Sequence, residues 1–423
     1  MLKNKSIIGI ALIAWLIITM AYHAHTPLGN RTYDFQGHLT YTKIIANEHR
    51  FPRPHDGWET FHPPLYYLVN SYLAPHPKEE DPKKHVFYVQ ALSVLYGAIV
   101  LIVIEWFLRK LKIDSVLRLI TLLFILTTPG FLITFSTYNN DSLANVLCVG
   151  IVALSYKLFE NWTNRNALFL LVISTASLYT KYTSLFCIGA VIVVCLRNII
   201  KLKKPSLIDI RIVIILLSSV LLLYPWLEFH NKKYSGKLLP HNIESGWGND
   251  LAINDDRATS KVVFKIPFYP TNPHEWDDPW AHGYARLETK KHDFWAFSFI
   301  TSVFSEFTYN FEEMQIIWLI FWIHLIGNIF AILQVGRSNI SKIAFVVLLL
   351  AQFGQIATLF YVPKPGGCAM DFRYICWTWL SWSVLYSYVI SQKNILSRLL
   401  LRMMIVGIIL HTYVLLTMSG HIT

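Results

Sequence analysis

Three charged residues lie beside or inside apolar stretches of the sequence, where a charge is costly. Asp34, in the stretch RTYDFQGHLTY, follows the first apolar run closely, Lys181 interrupts a long one, and Arg373 stands at the start of another. A carboxylate can take the proton from a hydroxyl group and so activate a weak nucleophile. A lysine can stabilise charge that develops on a leaving phosphate, and an arginine can chelate phosphate oxygens with two donors.

Each of these residues also has a purely structural explanation. Asp34 suits the N-cap of a helix that begins after it, a role worth about 1 kcal/mol. Lys181 could extend an apolar stem and place its ammonium group at a membrane interface. Arg373 could form a local ion pair with Asp371. The residues alone leave these alternatives open, although a cation within a membrane is costly enough to suggest function.

The elements that must position these residues are membrane spans. Of the 423 residues, 54% are hydrophobic and only 15% are charged, which is too apolar for an ordinary soluble domain. We predict an all-α polytopic membrane protein with about 11 transmembrane helices. The apolar stretches cover residues 6–23, 86–108, 116–136, 142–160, 167–180, 184–197, 210–227, 314–334, 342–361, 374–391 and 402–419.

The fifth and sixth stretches follow each other so closely that they could form one span. A single helix over residues 167–196 would be roughly 45 Å long, against a hydrocarbon core of about 30 Å. It would also carry the basic cluster of Arg197, Lys201, Lys203 and Lys204 to the outside. We therefore predict a break at TKYTS, residues 180–184, which keeps that cluster inside.

The charge distribution predicts the orientation. With the amino terminus inside, the cytoplasmic loops are short and basic, whereas most acidic residues lie outside. The net charge of +11 therefore reflects membrane topology, and nucleic acid is excluded as a partner. We interpret residues 1–423 as a single membrane domain with two large extracytoplasmic loops.

The two loops differ in their predicted roles. The first, residues 24–85, contains Asp34 and suits two short interfacial helices that are too short to span the membrane. The second, residues 228–313, is rich in proline and glycine, and we expect it to cover the site as a lid.

Five segments, in order along the chain, carry a family resemblance. They are YDFQGHLTYTKIIANEHRFPRPHDGWETFHPPLYYL, YNNDSLANVL, TKYTSL, DDPW…HDFWAFSFITSVFSEF and DFRYI. Together they resemble the polytopic glycosyltransferases of the GT-C fold, near the protein mannosyltransferase and aminoarabinose transferase branch. The resemblance implies an inverting enzyme that takes a sugar from a polyprenyl-phosphate carrier on the outer face of the membrane. Its acceptor would be a lipid, a glycan or a protein.

The resemblance also implies roles for particular residues. Asp34 matches the acidic residue of the first loop that serves as the catalytic base in GT-C enzymes. Lys181 and Arg373 would then bind the phosphate of the donor.

Four further residues are weaker candidates for substrate binding. His62 resembles a recurrent family histidine, which could bind phosphate or hold the loop. Asn140 and Asp141 lie at the start of the fourth span, where a helix cap competes with substrate contact. Trp280 could pack on a sugar ring, although tryptophan is common at membrane interfaces.

Two kinds of motif in the sequence bear on cofactor use: nucleotide-binding loops and metal-ligand spacings. No motif that cradles a nucleotide occurs, so a nucleotide sugar is not the expected donor. Tight metal-ligand spacings such as H-E-x-x-H are also absent from the sequence, so we predict no metal ligands, while dependence on a divalent metal stays open.

Two other functions fit an eleven-span protein. A transporter or flippase would place ionisable residues near the middle of the bilayer, but few such residues occur within these spans, His324 and His411 among them. A ligase or polymerase for lipid-linked oligosaccharides would share the donor chemistry.

We expect the protein to lie in the bacterial inner membrane, with the endoplasmic reticulum membrane as the alternative. The glycosylation sequon at Asn30 favours the former, because a glycan there would crowd Asp34.

The predicted orientation can be tested by labelling. After the native cysteines are blocked, a membrane-impermeant thiol reagent applied from outside should label cysteines introduced near positions 55 and 260. It should not label cysteines near positions 112, 203 or 337, which the charge asymmetry places inside. Labelling near position 203 would contradict the break at residues 180–184.

Overall fold

Apolar helices form nearly all of the regular structure. The structure is a computed structural model, and it describes residues 4–26, 34–77, 82–201, 207–240, 298, 302–303, 311–334, 339–361 and 372–417. Its helices are α1 (Asn4–His25), α2 (Phe35–Glu48), α3 (Leu65–Leu73), α4 (Lys83–Lys110), α5 (Ser115–Thr127), α6 (Pro129–Thr134), α7 (Asn140–Glu160), α8 (Asn164–Thr180), α9 (Ser184–Lys201), α10 (Leu207–Trp226), α11 (Phe311–Leu333), α12 (Asn339–Tyr361), α13 (Trp379–Ser391) and α14 (Ile395–Thr417). Within those ranges there is no strand.

The helices confirm an all-α, multi-pass membrane protein. Among the described residues, five helical segments are long and apolar enough to cross a bilayer, and several shorter helices are also apolar. Large apolar side chains remain exposed on their outer faces, for example Ile13, Ile17 and Met20 of α1, which are 60% or more exposed. Such faces suit lipid. Helices cover each predicted stretch, while the count of 11 spans stays a prediction.

Helix α5 lies between two apolar clusters. Leu122 and Ile125 belong to a cluster shared with α1, α4 and α7. Leu117 and Phe124 belong to a second cluster, formed with α11, α12, α13 and α14. Helix α5 therefore contributes to both clusters, and α11, α12 and α14 also reach the first one through Ile320, Val347 and Val414.

The predicted break between the fifth and sixth stretches is confirmed. Helix α8 ends at Thr180, and α9 begins at Ser184. Lys181 has an extended backbone, with φ −160° and ψ 134°, and its N–H still donates to the carbonyl of Ser177. The break turns the chain so that the lysine side chain leaves the apolar run and points to a carboxylate on α7.

The two short helices predicted in the first loop, α2 and α3, are also confirmed. They pack on each other, and the rings of Tyr41 and Tyr67 stack with centroids 3.6 Å apart. Gly37 lets the segment between them approach α2 closely. A Cβ atom at that position would overlap the indole of Trp58 and the side chain of Glu59.

The tenth predicted stretch begins differently from the prediction. Residues Phe372–Thr378 form a 3-10 helix with a kink at Ile375, and the α-helix starts only at Trp379. Arg373 therefore lies on a short irregular segment and not in the first turn of a span. The reason is a side chain of α7 that binds backbone groups of this segment, as described below.

Little of the proposed lid lies within the described residues. Beyond α10 the chain continues as a π-helix, Leu227–Lys232, and a last helical turn, Lys233–Ser235. Asn231 is buried there and donates to the hydroxyl of Tyr182 at 2.7 Å. Trp280 and most of residues 228–313 lie outside the described residues.

Candidate active site

Four charged side chains from four separate parts of the chain meet in one cluster. Lys181 Nζ lies 2.7 Å from Asp141 Oδ1. Arg373 Nε lies 3.8 Å from the other carboxylate oxygen of Asp141, and Arg373 Nη1 lies 3.1 Å from Asp34 Oδ2. The sequence predicted all four as site residues but not their mutual contacts. The structure therefore joins the candidate base and both candidate phosphate ligands through Asp141.

Asp141 is the buried centre of this cluster. Its side chain is 3% exposed, and that of Lys181 is 6% exposed. The alternative that Asp141 caps its helix is wrong, because Asn139 is the N-cap of α7 and accepts a hydrogen bond from the N–H of Ser142. The alternative that Lys181 extends to the membrane interface is also wrong, because its ammonium group is buried against a carboxylate. Two cations can stay in such a site only with a counter-charge of this kind.

Asp34 is the accessible carboxylate of the cluster. It stands at the N-cap position of α2, but its side chain makes no capping hydrogen bond, so the capping alternative is wrong. Its side chain is 30% exposed. Burial alone would raise the pKa of the Asp34 carboxyl, but the charges of Arg373 and Lys181 outweigh that effect and hold the pKa below its ordinary value. Asp34 is therefore ionised and open to contact.

Tyr374 lies between the two cations, and sequence reasoning missed it. Its ring centroid is 4.6 Å from Lys181 Nζ and 5.3 Å from the guanidinium carbon of Arg373. A tyrosine ring face attracts cations at these distances. The ring therefore contributes to holding both positive groups close to Asp141. The only signal in the sequence is its position beside Arg373.

Asn145, also missed, fixes the segment that carries Arg373. Its amide donates to the carbonyl oxygens of Arg373 and Asp141, each at 2.9 Å, and its side-chain oxygen accepts from the N–H of Trp377 at 2.7 Å. Asn145 is 2% exposed. A buried 3-10 segment leaves backbone groups without α-helical partners, and Asn145 supplies two of them. It lies one helical turn after Asp141, so α7 positions the counter-ion and the arginine together.

His62 belongs to a second polar group beside the charged cluster. Its Nε2 lies 2.9 Å from Glu59 Oε2, and that oxygen lies 3.8 Å from His38 Nδ1. Burial lowers the pKa of His38 to about 4 and that of His62 well below its ordinary value, so both imidazoles are neutral. Burial raises the pKa of Glu59 to about 7, and the nearby Asp34 carboxylate adds to this effect.

Asn140 does not join the accessible part of the site. Asn140 is fully buried, and its amide donates to the hydroxyl of Tyr67 at 3.4 Å, which connects α7 to α3. Substrate contact by Asn140 therefore stays a prediction without support from its position.

Among the described residues, no three histidine, cysteine, aspartate or glutamate side chains are arranged to hold a metal ion.

The geometry suits an anion next to a base. Arg373 is 19% exposed and directs its guanidinium toward Asp34, while Lys181 binds the other oxygen of the Asp141 carboxylate that Arg373 approaches. A phosphate that reached Arg373 would meet two fixed cations whose counter-ion is already buried, and such preorganised charges stabilise developing negative charge effectively. A hydroxyl group beside that phosphate would meet the Asp34 carboxylate.

Comparisons with known proteins show similarity at the level of structure. No protein-family model matches the chain, and no curated protein sequence is significantly similar to it. The structure of the Archaeoglobus fulgidus oligosaccharyltransferase, in complex with Zn and sulfate, matches with a TM-score of 0.54 at 10% identity, over 97% of this chain and 53% of that one. The S. cerevisiae protein O-mannosyltransferase Pmt1-Pmt2 complex, bound to the sugar donor, matches with a TM-score of 0.41 at 15% identity, over 52% of this chain and 32% of that one.

These comparisons concern the fold. The match to the oligosaccharyltransferase extends over nearly the whole chain, and it confirms the GT-C fold that the five segments predicted. The chain spans about half the length of that protein and about a third of the length of the mannosyltransferase chain. At these identities the chemistry of this chain must be argued from its own residues.

The role of Asn145 gives a testable prediction. Asn145→Leu leaves the carbonyl of Arg373 and the N–H of Trp377 without their partner, at about 1–3 kcal/mol for each buried group. The variant should unfold at lower temperature in detergent and should also bind inorganic phosphate at least tenfold more weakly.

The matched control is Asn139→Ala, which removes the cap of α7 at a cost of about 1 kcal/mol but leaves Arg373 fixed. Its phosphate affinity should stay normal. Equal affinities for the two variants would show that Asn145 does not position Arg373.

Proposed function

We propose that this protein is an inverting glycosyltransferase that moves a sugar from a polyprenyl-phosphate carrier to a hydroxyl group of a lipid, glycan or protein acceptor. The reaction takes place at the outer face of the membrane, in the bacterial inner membrane or, alternatively, that of the endoplasmic reticulum. The GT-C fold is consistent with this proposal. One observation carries it: an accessible carboxylate, Asp34, lies 3.1 Å from Arg373, which shares a buried counter-ion with Lys181.

The cations bind the donor. Arg373 and Lys181 contact the phosphate, and the polyprenyl chain lies along the apolar faces of the spans. As the phosphate binds, its negative charge competes with Asp34 for Arg373, so the carboxylate loses its ion pair and its pKa rises. Donor binding therefore makes Asp34 a stronger base when a base is needed.

The transfer step needs one proton acceptor and one stabilised leaving group. The acceptor oxygen attacks the anomeric carbon as Asp34 takes its proton, so that a C–O bond to the acceptor forms on the face opposite the phosphate. The bond from the anomeric carbon to the phosphate oxygen breaks, and its electron pair stays on the phosphate. Arg373 and Lys181 stabilise that charge in a site with little water.

The second large loop completes the proposal. We infer that residues 228–313 form a lid over the bound sugar, that Trp280 packs on the sugar ring and that residues 24–85 are the catalytic loop. The polar group around His62 holds that loop in place.

The donor site can be tested without knowledge of the sugar. Polyprenyl phosphate, titrated onto the protein in nanodiscs, should bind at least tenfold more weakly to the double variant Lys181→Met, Asp141→Asn, which loses one cation together with its counter-ion. The charge balance of the buried cluster is kept, so the variant should fold. Tenfold corresponds to about 1.4 kcal/mol.

Two controls complete this test. Asp141→Asn alone leaves Lys181 and Arg373 without their shared counter-ion, so it should unfold at lower temperature in detergent than the double variant, and added phosphate should restore part of that loss. Lys110→Met removes an exposed lysine that pairs with Glu160 and should change nothing. Normal affinity in the double variant would place the phosphate elsewhere.

The role of Asp34 gives a second prediction. Asp34→Asn keeps the size of the side chain and an oxygen for Arg373 but cannot accept the proton. Transfer from polyprenyl-phosphate sugars should fall roughly 10²- to 10⁴-fold, while phosphate binding and thermal stability persist. Asp56→Asn, in the same loop and paired with Arg50, is the control and should remain active. An active Asp34→Asn enzyme would remove Asp34 as the base.

A further inference from the structure

Glu59 is a buried carboxyl group for which the transfer step above has no use. The residue is 7% exposed, and one of its oxygens contacts His62 at 2.9 Å and approaches His38 at 3.8 Å. An ionised carboxylate in such surroundings is costly unless it is compensated. Neither neighbouring imidazole is charged, as shown above, so the compensation must come from hydrogen bonding or from a proton.

His38 connects this carboxyl group to the site. Asp34 and His38 are four residues apart at the start of α2, so they lie on one face of the helix. Gly37, between them in sequence, allows the Glu59 segment to pack directly against that face. His38 therefore shares a helix face with Asp34, and its Nδ1 lies 3.8 Å from the Glu59 carboxyl group.

Hydrogen bonds leave His38 ready to accept a proton. The amide of Asn140 donates to the hydroxyl of Tyr67, and that hydroxyl lies 2.9 Å from His38 Nδ1. A hydroxyl oxygen has two lone pairs, so Tyr67 can accept from Asn140 and from a hydrogen on His38 Nδ1. In this neutral tautomer Nε2 keeps a lone pair that can take a proton, while the Nδ1 hydrogen lies on the side of Glu59, whose Oε2 is 3.8 Å from Nδ1.

The contact between Glu59 and His62 can hold one added proton. With Glu59 ionised, His62 Nε2–H donates to the carboxylate at 2.9 Å. One further proton converts the pair to a neutral carboxyl group and a neutral imidazole, which is the less costly state in a buried place. His62 Nδ1 is buried and makes no hydrogen bond within the described residues. The contact of Nε2 with Glu59 therefore determines where the hydrogen of the His62 ring lies.

We propose that Glu59 and His62 form a proton-accepting pair that takes the acceptor's proton on from Asp34, by way of His38, during sugar transfer. The inference rests on the proposed function. The acceptor hydroxyl gives its proton to Asp34, which passes it to His38 Nε2. His38 releases its Nδ1 hydrogen to the Glu59 carboxylate, and Asp34 returns to its carboxylate form. The electron pair of the broken bond stays on the phosphate, as before, and solvent later receives the proton.

The surrounding charges favour proton transfer from Asp34 to the pair of Glu59 and His62. The pKa of Asp34 lies below its ordinary value, whereas that of Glu59 is raised to about 7, so a proton moves from the weaker to the stronger base. The ionisable and charged groups that face the pair come from α2, α3, α7, the break after α8 and the 3-10 segment; they are Asp34, His38, Tyr67, Asp141, Lys181 and Arg373.

The pH dependence of transfer tests the pair. The wild-type kcat should rise with pH through about 7, because the pair accepts a proton only after it has lost its own. Glu59→Gln keeps the shape and the hydrogen bond to His62 but cannot take up a proton. It should lower kcat roughly tenfold or more, remove this rise and leave the donor KM unchanged. Glu48→Gln, an exposed glutamate at the end of α2, should keep the wild-type profile.

A second measurement is independent of transfer. Infrared titration of protein labelled with carbon-13 at the glutamate carboxyl groups should show one protonated carboxyl that titrates near pH 7 and is absent from Glu59→Gln. His62→Gln should move this midpoint away from 7. It replaces Glu59→Gln in both experiments if that variant does not fold.

The outcomes separate the two proposals. An unchanged pH rise in an active Glu59→Gln enzyme would overturn the proton-accepting pair and leave the glycosyltransferase proposal intact. A Glu59 carboxyl that titrates at its ordinary value of 4.5 would overturn it as well. Absence of transfer from every donor, with a carboxyl that titrates near 7, would instead count against the proposed transferase.

Discussion

The buried carboxylate of Asp141 is the contact on which the site depends. Two cations could not stay together at the ends of apolar helices without a counter-charge, because their mutual repulsion and the loss of hydration would both act against folding. Asp141 compensates Lys181 directly and Arg373 more loosely, at 2.7 and 3.8 Å. With this looser contact, the guanidinium of Arg373 also pairs with Asp34 at 3.1 Å, on the exposed side of the cluster.

The fold serves this contact by bringing distant segments together. The break at Lys181 turns an apolar run toward α7, and the first turn of α7 supplies Asp141. Asn145, one turn later, fixes the irregular segment of Arg373. Asp34 and Arg373 are 339 residues apart in sequence, yet they form an ion pair. The hydroxyl groups of Thr42 on α2 and of Tyr138, just before α7, are hydrogen-bonded, and Asn145 of α7 holds the Arg373 segment. The irregular backbone at two of these places is stabilised by side chains and not by helix continuation.

Sequence reasoning reached the charged residues but not their partners. A lysine within an apolar run is costly, so Lys181 was identifiable from composition alone. The cap interpretations of Asp34 and Asp141 were wrong because a local rule sees only the next helix, whereas both carboxylates contact cations far along the chain. Asn145, Glu59 and Tyr374 gave no such signal. Asparagine in an apolar helix, glutamate in a loop and tyrosine near an interface are each ordinary until the tertiary contacts are known.

The structure also explains the two histidines within the spans, His324 and His411. Their rings are buried and hydrogen-bonded to each other at 2.9 Å, so their presence does not require a transport path.

Mass spectrometry of lipids and glycans tests the central claim most directly. Cells that carry the protein, cells that lack it and cells with Asp34→Asn in its place should be compared. We expect cells that lack it and cells with the variant to lose the same sugar from one lipid, glycan or protein acceptor, and to accumulate that sugar on polyprenyl phosphate. A sugar that is missing only when the whole protein is absent, and present with Asp34→Asn, would contradict the account, as would unchanged profiles in all three.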